Sequence, residues 1–404
     1  MTTSPKKNTT NNEWRKNLLD WTAKQGRILT DEGKATEHYC SERGFPFESF
    51  ELPHYHLERG DSHDVFRRWA EAVPEPPALS PIIGAWSRPL FVGKWEHSSD
   101  EEEIVYNIQT GSLFIDLRIP ASKPDSRWEN FLDDEQQISS SRQIFESMSD
   151  EDLRLYARQH VFAGYSVIST QKNNNNKMSN ELPVCTRHHC IDWNYVSGKP
   201  RPRPNKWYIE MRNSNGISNA WKEWSYATDK NGQCYYWEKW ERIAGDDFGR
   251  GLRLAMRRKK QVLNQEDAIL VAVGDHFNYV VGRQLLDLHP RYRDASNTVE
   301  LVDSAIHNGD RDTAISYLSL AGGHGTISSG WKVDCALQPW QHGKRVFDCL
   351  QYDISDEDVK VIGSGACCLS WEVMMGNDSW DVYECSLSRG ELQQLLSSQK
   401  ISCL

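Results

Sequence analysis

From about residue 90 the chain becomes a series of short runs in which polar and apolar residues alternate with a period of two, separated by turn-forming residues. In GSLFIDLRIP at 111–120, an extended backbone puts Ile115, Leu117 and Ile119 on one side and Asp116 and Arg118 on the other. Eight such runs come before residue 250, at 90–98, 104–110, 113–120, 160–170, 182–195, 206–212, 220–228 and 233–242. Eight antiparallel strands suit a small closed barrel, whose interior holds side chains or one small ligand. A polar, helix-prone segment separates the third run from the fourth, with Ser149 placed to cap SDEDLRLYARQ, and the Asn run at 173–176 reads as a hairpin tip.

The pattern then recurs at 252–263, 268–274, 277–285, 329–337, 344–352, 359–363, 366–375 and 380–385. Again a helical segment, TVELVDSAIHNGDRDTAISYLSL, falls between the third and fourth runs, which points to a duplicated barrel. Before residue 80 the period is helical: Asn12 is placed to cap a helix carrying Trp14, Leu18 and Trp21, and Ser62 to cap SHDVFRRWAEAV. PEPPALSP ends that region, because repeated Pro cannot continue a helix. The expected division is a helical extension at 1–80, a first barrel at 81–250 and a second at 251–404, closed by a helix in SRGELQQLLSSQ.

Composition excludes several classes. A net charge of −10, from 47 Lys+Arg against 57 Asp+Glu, argues against a nucleic-acid partner. No apolar stretch approaches the roughly 18–20 residues that span a bilayer, and no apolar core follows Lys6 and Lys7, so neither a membrane partner nor a secretory signal is expected. Ten scattered Cys, including the adjacent Cys367 and Cys368, read as reduced thiols in a cytoplasmic setting. The 16 Trp and an aromatic content of 11% favour folded sheets and aromatic-lined cavities.

Residues 184–194, VCTRHHCIDWN, concentrate the soft side chains. Strict strand alternation puts His188, Cys190 and Asp192 on one face and Cys185, Arg187 and His189 on the other, which splits any metal knuckle. No second CxxC or HxxxH pair accompanies it, so neither a metal site nor a cofactor is expected. If the Asp116/Arg118 face and the Tyr236/Glu238/Trp240 face also point inward, one lumen holds an imidazole, carboxylates and a guanidinium among aromatic rings. Such a set can move protons: His188 as carrier, Asp192, Asp116 and Glu238 as carboxylate partners, Arg118 holding an anionic oxygen. Trp240, Tyr236, Cys190 and Glu210 are the ligand-lining candidates. The opposite outcome, in which the aliphatic face of 115–119 fills the barrel, stays open here.

AGGHGTISSG at 321–330 lacks the strand-to-helix context of a phosphate loop and reads as a linker, and His276 in GDHF reads as a turn residue. No P-loop, nucleophile elbow or kinase motif is present.

GKWEHSS at 93–99 resembles the Gly-x-Trp opening of lipocalins and other calycins, whose Trp closes the barrel floor beneath an Arg from a late strand. The resemblance implies Trp95 and Arg242 for those roles. The ordered set GSLFIDLRIP, HVFAG, CTRHHCIDW, YYWEKWER and GDHFNYVVGR resembles a poorly characterised calycin-like family of fungi and bacteria, to which a yeast casein-kinase-interacting protein is related. The family's third segment runs C-x-W-H-R-x-I-D-F; Arg187 stands here at its Trp and His189 at its Arg, while His188 and Asp192 match. The resemblance covers roughly 85–340 and implies a fold, mainly β, of two lipocalin-like antiparallel barrels with helical insertions, but no reaction. Two functions follow as expectations: a cofactor-independent lyase, isomerase, cyclase or hydratase acting on a small metabolite, or a carrier of a small apolar ligand. A homodimer is left open.

Overall fold

A computed structural model describes residues 82–93, 103–120, 141–170, 183–197, 205–214, 217–225, 236–246, 249, 251–258, 266–283, 289–295, 297–346, 371–375, 378–388, 390–392 and 395. The expected helices before residue 80, the Asn run, Trp95 and the Cys367/Cys368 pair lie outside these residues.

Eight strands form a closed antiparallel barrel: β1 (Gly84–Gly93), β2 (Glu103–Gln109), β3 (Phe114–Pro120), β4 (His160–Thr170), β5 (Pro183–Asp192), β6 (Asn205–Ser214), β7 (Ile217–Ser225) and β8 (Tyr236–Arg242). Each pairs with the next, and β8 pairs back onto β1, as period-two alternation implied. Strand β1 begins six residues before the run expected at 90–98. Pro89 hides it, sitting where the β1–β8 register shifts between Ser87 and Leu90, a place a strand tolerates a missing N–H. The Trp that meets Arg242 is accordingly Trp86 of Gly84-Ala85-Trp86: the guanidinium lies 4.1 Å from its ring, and the indole Nε1 donates to Ile82 O at 2.8 Å.

The second strand set is a seven-stranded sheet in the order β13-β12-β11-β10-β9-β15-β14. Its strands are β9 (Arg253–Arg258), β10 (Ala268–Val273), β11 (His276–Val281), β12 (Ala321–Thr326), β13 (Lys332–Ala336), β14 (Trp371–Met375) and β15 (Asp378–Cys385). Among the described residues this sheet is open, where the sequence led to a second closed barrel; most of 344–352 and all of 359–363 lie outside them. Residues 321–326, read above as linker, form β12 between β11 and β13. A Cβ at Gly325 would overlap the Lys332 carbonyl oxygen, so close strand approach requires glycine here, and the glycines erase the alternating signal.

Both helical insertions fall where expected. Helices α1 (Ser141–Ser147) and α2 (Asp150–Tyr156) separate β3 from β4; α3 (Thr298–His307) and α4 (Arg311–Tyr317) separate β11 from β12. Ser149 and Asp152 form a capping box on α2, and Asn297 caps α3. Asp303 of α3 holds Arg154 and Arg158 at 2.9 Å each, tying the two insertions together. Among the described residues no helix is long and apolar enough to cross a membrane.

Barrel and sheet dock through aliphatic outer faces. Ile108 of β2 and Ile115 and Leu117 of β3 share one core with Ile269, Val271 and Val273 of β10. Asn278, fully buried on β11, crosses this junction to donate to Tyr106 O at 3.0 Å and Ile115 O at 3.1 Å. His276, read above as a turn residue, is also buried at the junction: its Nε2 lies 2.7 Å from Ala244 O and its Nδ1 3.2 Å from His324 Nε2. His324 in turn reaches Asp334 at 2.7 Å and stacks on Tyr106 at 3.8 Å. Asn278→Leu keeps the branched heavy-atom pattern and removes both cross-junction bonds. We expect a loss of about 1–3 kcal/mol, read from the urea midpoint at unchanged m-value.

Candidate functional site

Because the aliphatic residues of β2 and β3 face the sheet, alternation turns Asn107, Asp116 and Arg118 into the barrel. Asp116 is fully buried and bonded by Arg118 at 2.9 Å and Arg187 at 3.1 Å. Burial pushes this carboxyl upward, but the two guanidiniums outweigh it and hold its pKa below the usual value. Arg187 also donates to Gln109 Oε1 at 2.9 Å and stacks on Phe114 at 4.1 Å and Trp207 at 4.9 Å.

Opposite, Glu223 of β7 and Glu238 of β8 are direct cross-strand partners, both buried. Arg88 of β1 binds Glu238 at 2.8 Å. Among the described residues no guanidinium bonds Glu223; burial first, then the facing Glu238 carboxylate, raise its pKa well above the usual carboxylate range, which favours its protonated form. Tyr236 approaches Glu223 at 3.5 Å and stacks on Phe91. Trp240 stacks on Trp221 at 5.3 Å and, with Trp86, Trp207 and Ile209, forms an apolar end to the lumen.

The segment VCTRHHCIDW departs from strict alternation. His188 pairs with Tyr165 and stacks on it at 4.7 Å, on the outer face; Cys190 and Ile191 also belong to the core beneath the sheet. The β4–β5 register shifts between Ala163 and Gly164, leaving Cys190 as the extra residue of a bulge. That shift returns Asp192 to the side of His189, whose Nδ1 lies 2.8 Å from Asp192 Oδ2. The expected His188/Asp192 pairing is therefore corrected to His189/Asp192. A Cβ on Gly164 would overlap the His188 carbonyl oxygen, so the Gly of HVFAG is the sequence trace of the bulge. His189 stacks on Phe162 at 4.5 Å within the lumen; nearby His160 is held neutral, its pKa lowered to about 3 by burial and then by Arg118.

Of the residues expected from sequence, the structure brings Asp116, Arg118, Asp192, Glu238, Tyr236 and Trp240 to the lumen side. It places His188 and Cys190 on the outer face and leaves Glu210 exposed, paired in register with Lys222. Sequence reasoning missed Arg88, Arg187, His189 and Glu223; for Glu223 the signal was available, since AWKEWS alternates Trp221 and Glu223 as YYWEKWER alternates Trp240 and Glu238. Among the described residues no group of three His, Cys, Asp or Glu side chains could hold a metal ion, and Cys185, Cys190, Cys335 and Cys385 are free thiols. A separate cavity of about 430 Å³ lies outside the lumen, between the helical insertions and the sheet, lined by Arg142, Phe145, Glu266, Ile315 and Gln338 among others.

A closed eight-stranded antiparallel barrel with Gly-x-Trp near the start of its first strand fits a calycin-like fold. No protein-family model matches the chain, and no curated protein matches it. A solved structure similar to it is that of the uncharacterized protein YLR301w from Saccharomyces cerevisiae, with 13% identity, 75% of this chain and 98% of that chain covered, and a TM-score of 0.37.

The charge state of Glu223 has a measurable consequence. Folded Glu223 holds its proton more tightly than the unfolded chain, whose carboxyl releases it above about pH 4.5, so its contribution is lost progressively as pH rises toward the folded pKa. Glu223→Gln cannot titrate. Its stability relative to the parent is expected to grow by about 1.4 kcal/mol per pH unit above pH 5, until the folded pKa is passed. Urea midpoints at pH 5, 6, 7 and 8 measure it; a constant difference would contradict the protonated state.

Proposed function

We propose that the first barrel is a cofactor-independent acid–base catalyst acting on a small organic metabolite, of the lyase, isomerase, cyclase or hydratase type. One observation carries this reading: two facing carboxyls, Glu223 and Glu238, sit in environments that make them inequivalent, Glu238 bonded to Arg88 and Glu223 buried against it with its pKa raised. Paired titratable groups driven apart by their surroundings supply an acid and a base side by side. Glu238 accepts a proton from the substrate and Glu223 donates one. Arg187, fixed between two rings and bonded to Asp116, stabilises negative charge developing on a substrate oxygen. His189, oriented by Asp192, is a second proton carrier.

The second reading, a carrier of a small apolar ligand, is favoured by the apolar end of the lumen at Trp86, Trp221 and Trp240. The enzyme reading is preferred because charges buried in a lumen are costly and a carrier of apolar molecules gains nothing from them. We also read the open sheet as a diverged lipocalin-like copy of the barrel, since three strands, two helices and a fourth strand recur in order. A cytoplasmic setting keeps the free thiols reduced.

Full-length protein incubated with cell extract in D2O, followed by untargeted mass spectrometry, tests the reading. A metabolite that gains deuterium or changes mass with the parent protein is expected to do so at least about 100-fold more slowly with folded Glu223→Gln or Glu238→Gln. His188→Ala, altered on the outer face, is expected to keep the activity. Turnover at the parent rate by both glutamine variants would sink the proposal.

A further inference from the structure

Two imidazoles meet head on at the junction between barrel and sheet. His276 of β11 and His324 of β12 lie on neighbouring strands and are both buried. His276 Nε2 faces the Ala244 carbonyl oxygen at 2.7 Å, so that nitrogen carries a hydrogen. Its Nδ1 faces His324 Nε2 at 3.2 Å, and the ring centres are 5.4 Å apart, a separation reached at that contact only when the two nitrogens point at one another. His324 Nδ1 faces Asp334 Oδ1 at 2.7 Å. Three contacts therefore run in series, and two neutral imidazoles bring two hydrogens to them. One added proton fills the third contact. A second has no place, because it puts hydrogens on both facing nitrogens, where they overlap, and sets two charged rings against each other.

Both histidines belong to the sheet, and each holds a different part of the barrel. Ala244 lies in the turn after β8, and the His324 ring stacks on Tyr106 of β2 at 3.8 Å. If His276 turns out, Ala244 loses its donor; if His324 turns out, Tyr106 loses its stacking partner. The surrounding ionisable groups do not make room for a second charge. Asp334 engages His324 and so favours the first proton, while burial and the neighbouring His276 hold the His324 pKa below its ordinary value. Tyr106 is pushed up to about 12 by burial, then by Asp334 and Cys335, and the Cys335 thiol is pushed up to about 12 by burial and Asp334, so both stay neutral. Asp275, next to His276, accepts from the Ser328 amide and hydroxyl at 2.7 and 2.6 Å. Asp246, beyond Ala244, is bonded by Arg242 and accepts from Ala85 N at 3.2 Å, and Lys332 of β13 is exposed.

We infer that the His276–His324 pair is an acid-released latch between barrel and sheet: it closes with at most one proton, and uptake of a second turns one ring out and frees this end of the junction. The opened pair takes up two protons near the ordinary histidine value of about 6.5, whereas the closed pair holds at most one. More protons are bound in the open state, so closure is favoured above about pH 6.5 and weakens as pH falls, by about tenfold per pH unit well below that value. The Asn278 bonds and the apolar core of the junction carry no titrating group, so the release is local. The latch does not rest on the acid–base reading of the lumen.

Amide hydrogen exchange of the full chain tests the latch. It is read at Asp275, whose N–H donates to Gly245 O at 2.9 Å beside the two rings, with the β6–β7 hairpin of the barrel as reference. After correction for the intrinsic exchange rate, protection at Asp275 is expected to fall at least about fivefold between pH 6 and pH 5, and that of the hairpin less than about twofold. His324→Gln is expected to bring the Asp275 change below about twofold, because a glutamine amide faces His276 with either its nitrogen or its oxygen and lets that ring charge in place. Should this variant fail to fold, imidazole nitrogen NMR of the parent at pH 5 decides: in molecules whose Asp275 amide is still protected, at most one of the two rings is expected to be doubly protonated. Protection at Asp275 that does not change with pH, a pH dependence retained by folded His324→Gln, or two doubly protonated rings in the closed protein overturns the inference.

Discussion

The aliphatic side chains of β2, β3 and β10 bury one another across the junction between barrel and sheet, and that contact decides which way the barrel strands turn their polar residues. Ile108, Ile115, Leu117, Ile269, Val271 and Val273 are each essentially inaccessible to solvent. At roughly 1.5–3 kcal/mol for each buried side chain, the six contribute about 9–18 kcal/mol, comparable to the whole stability of a domain. A one-residue slip in register would forfeit this and send Asp116 and Arg118 into the junction. The charged lumen therefore follows from apolar docking outside the barrel.

A lumen built this way must accommodate its own charges. Asp116 does so by accepting from two arginines, and Glu238 by pairing with Arg88. Glu223 stands directly opposite Glu238 and takes the other route open to a buried carboxyl, a raised pKa that favours its neutral form. The inequivalence that makes the pair useful for moving protons thus has the same origin as the packing: two strands alternate in step, and one guanidinium serves only one of them.

Legibility in the sequence tracked regularity of the backbone. FIDLRIP, AWKEWS and YWEKWER alternate cleanly, and their strands and shared faces were readable, Asp116 with Arg118 and Tyr236 with Glu238 and Trp240, but not which of those faces turned inward. Strand β1 was cut short by Pro89, and β12 was lost because its glycines carry no side chains to alternate. Within VCTRHHCID a single extra residue exchanged the partners of two histidines, and no periodicity can show a bulge that depends on a neighbouring strand. Gly164, on that neighbour, was the one local trace of it.

The alternation, the capping residues at Ser149 and Asn297, and the repeated order of strands and helices are local properties, so the sequence by itself determined strand count, helix placement and barrel architecture in the first half. Which face of each strand was inside, that Glu223 meets Glu238, and that Asp192 serves His189 were decided only by tertiary structure. Each depends on pairing register and on burial against a distant sheet, and these are fixed by the summed contacts of residues far apart in the chain.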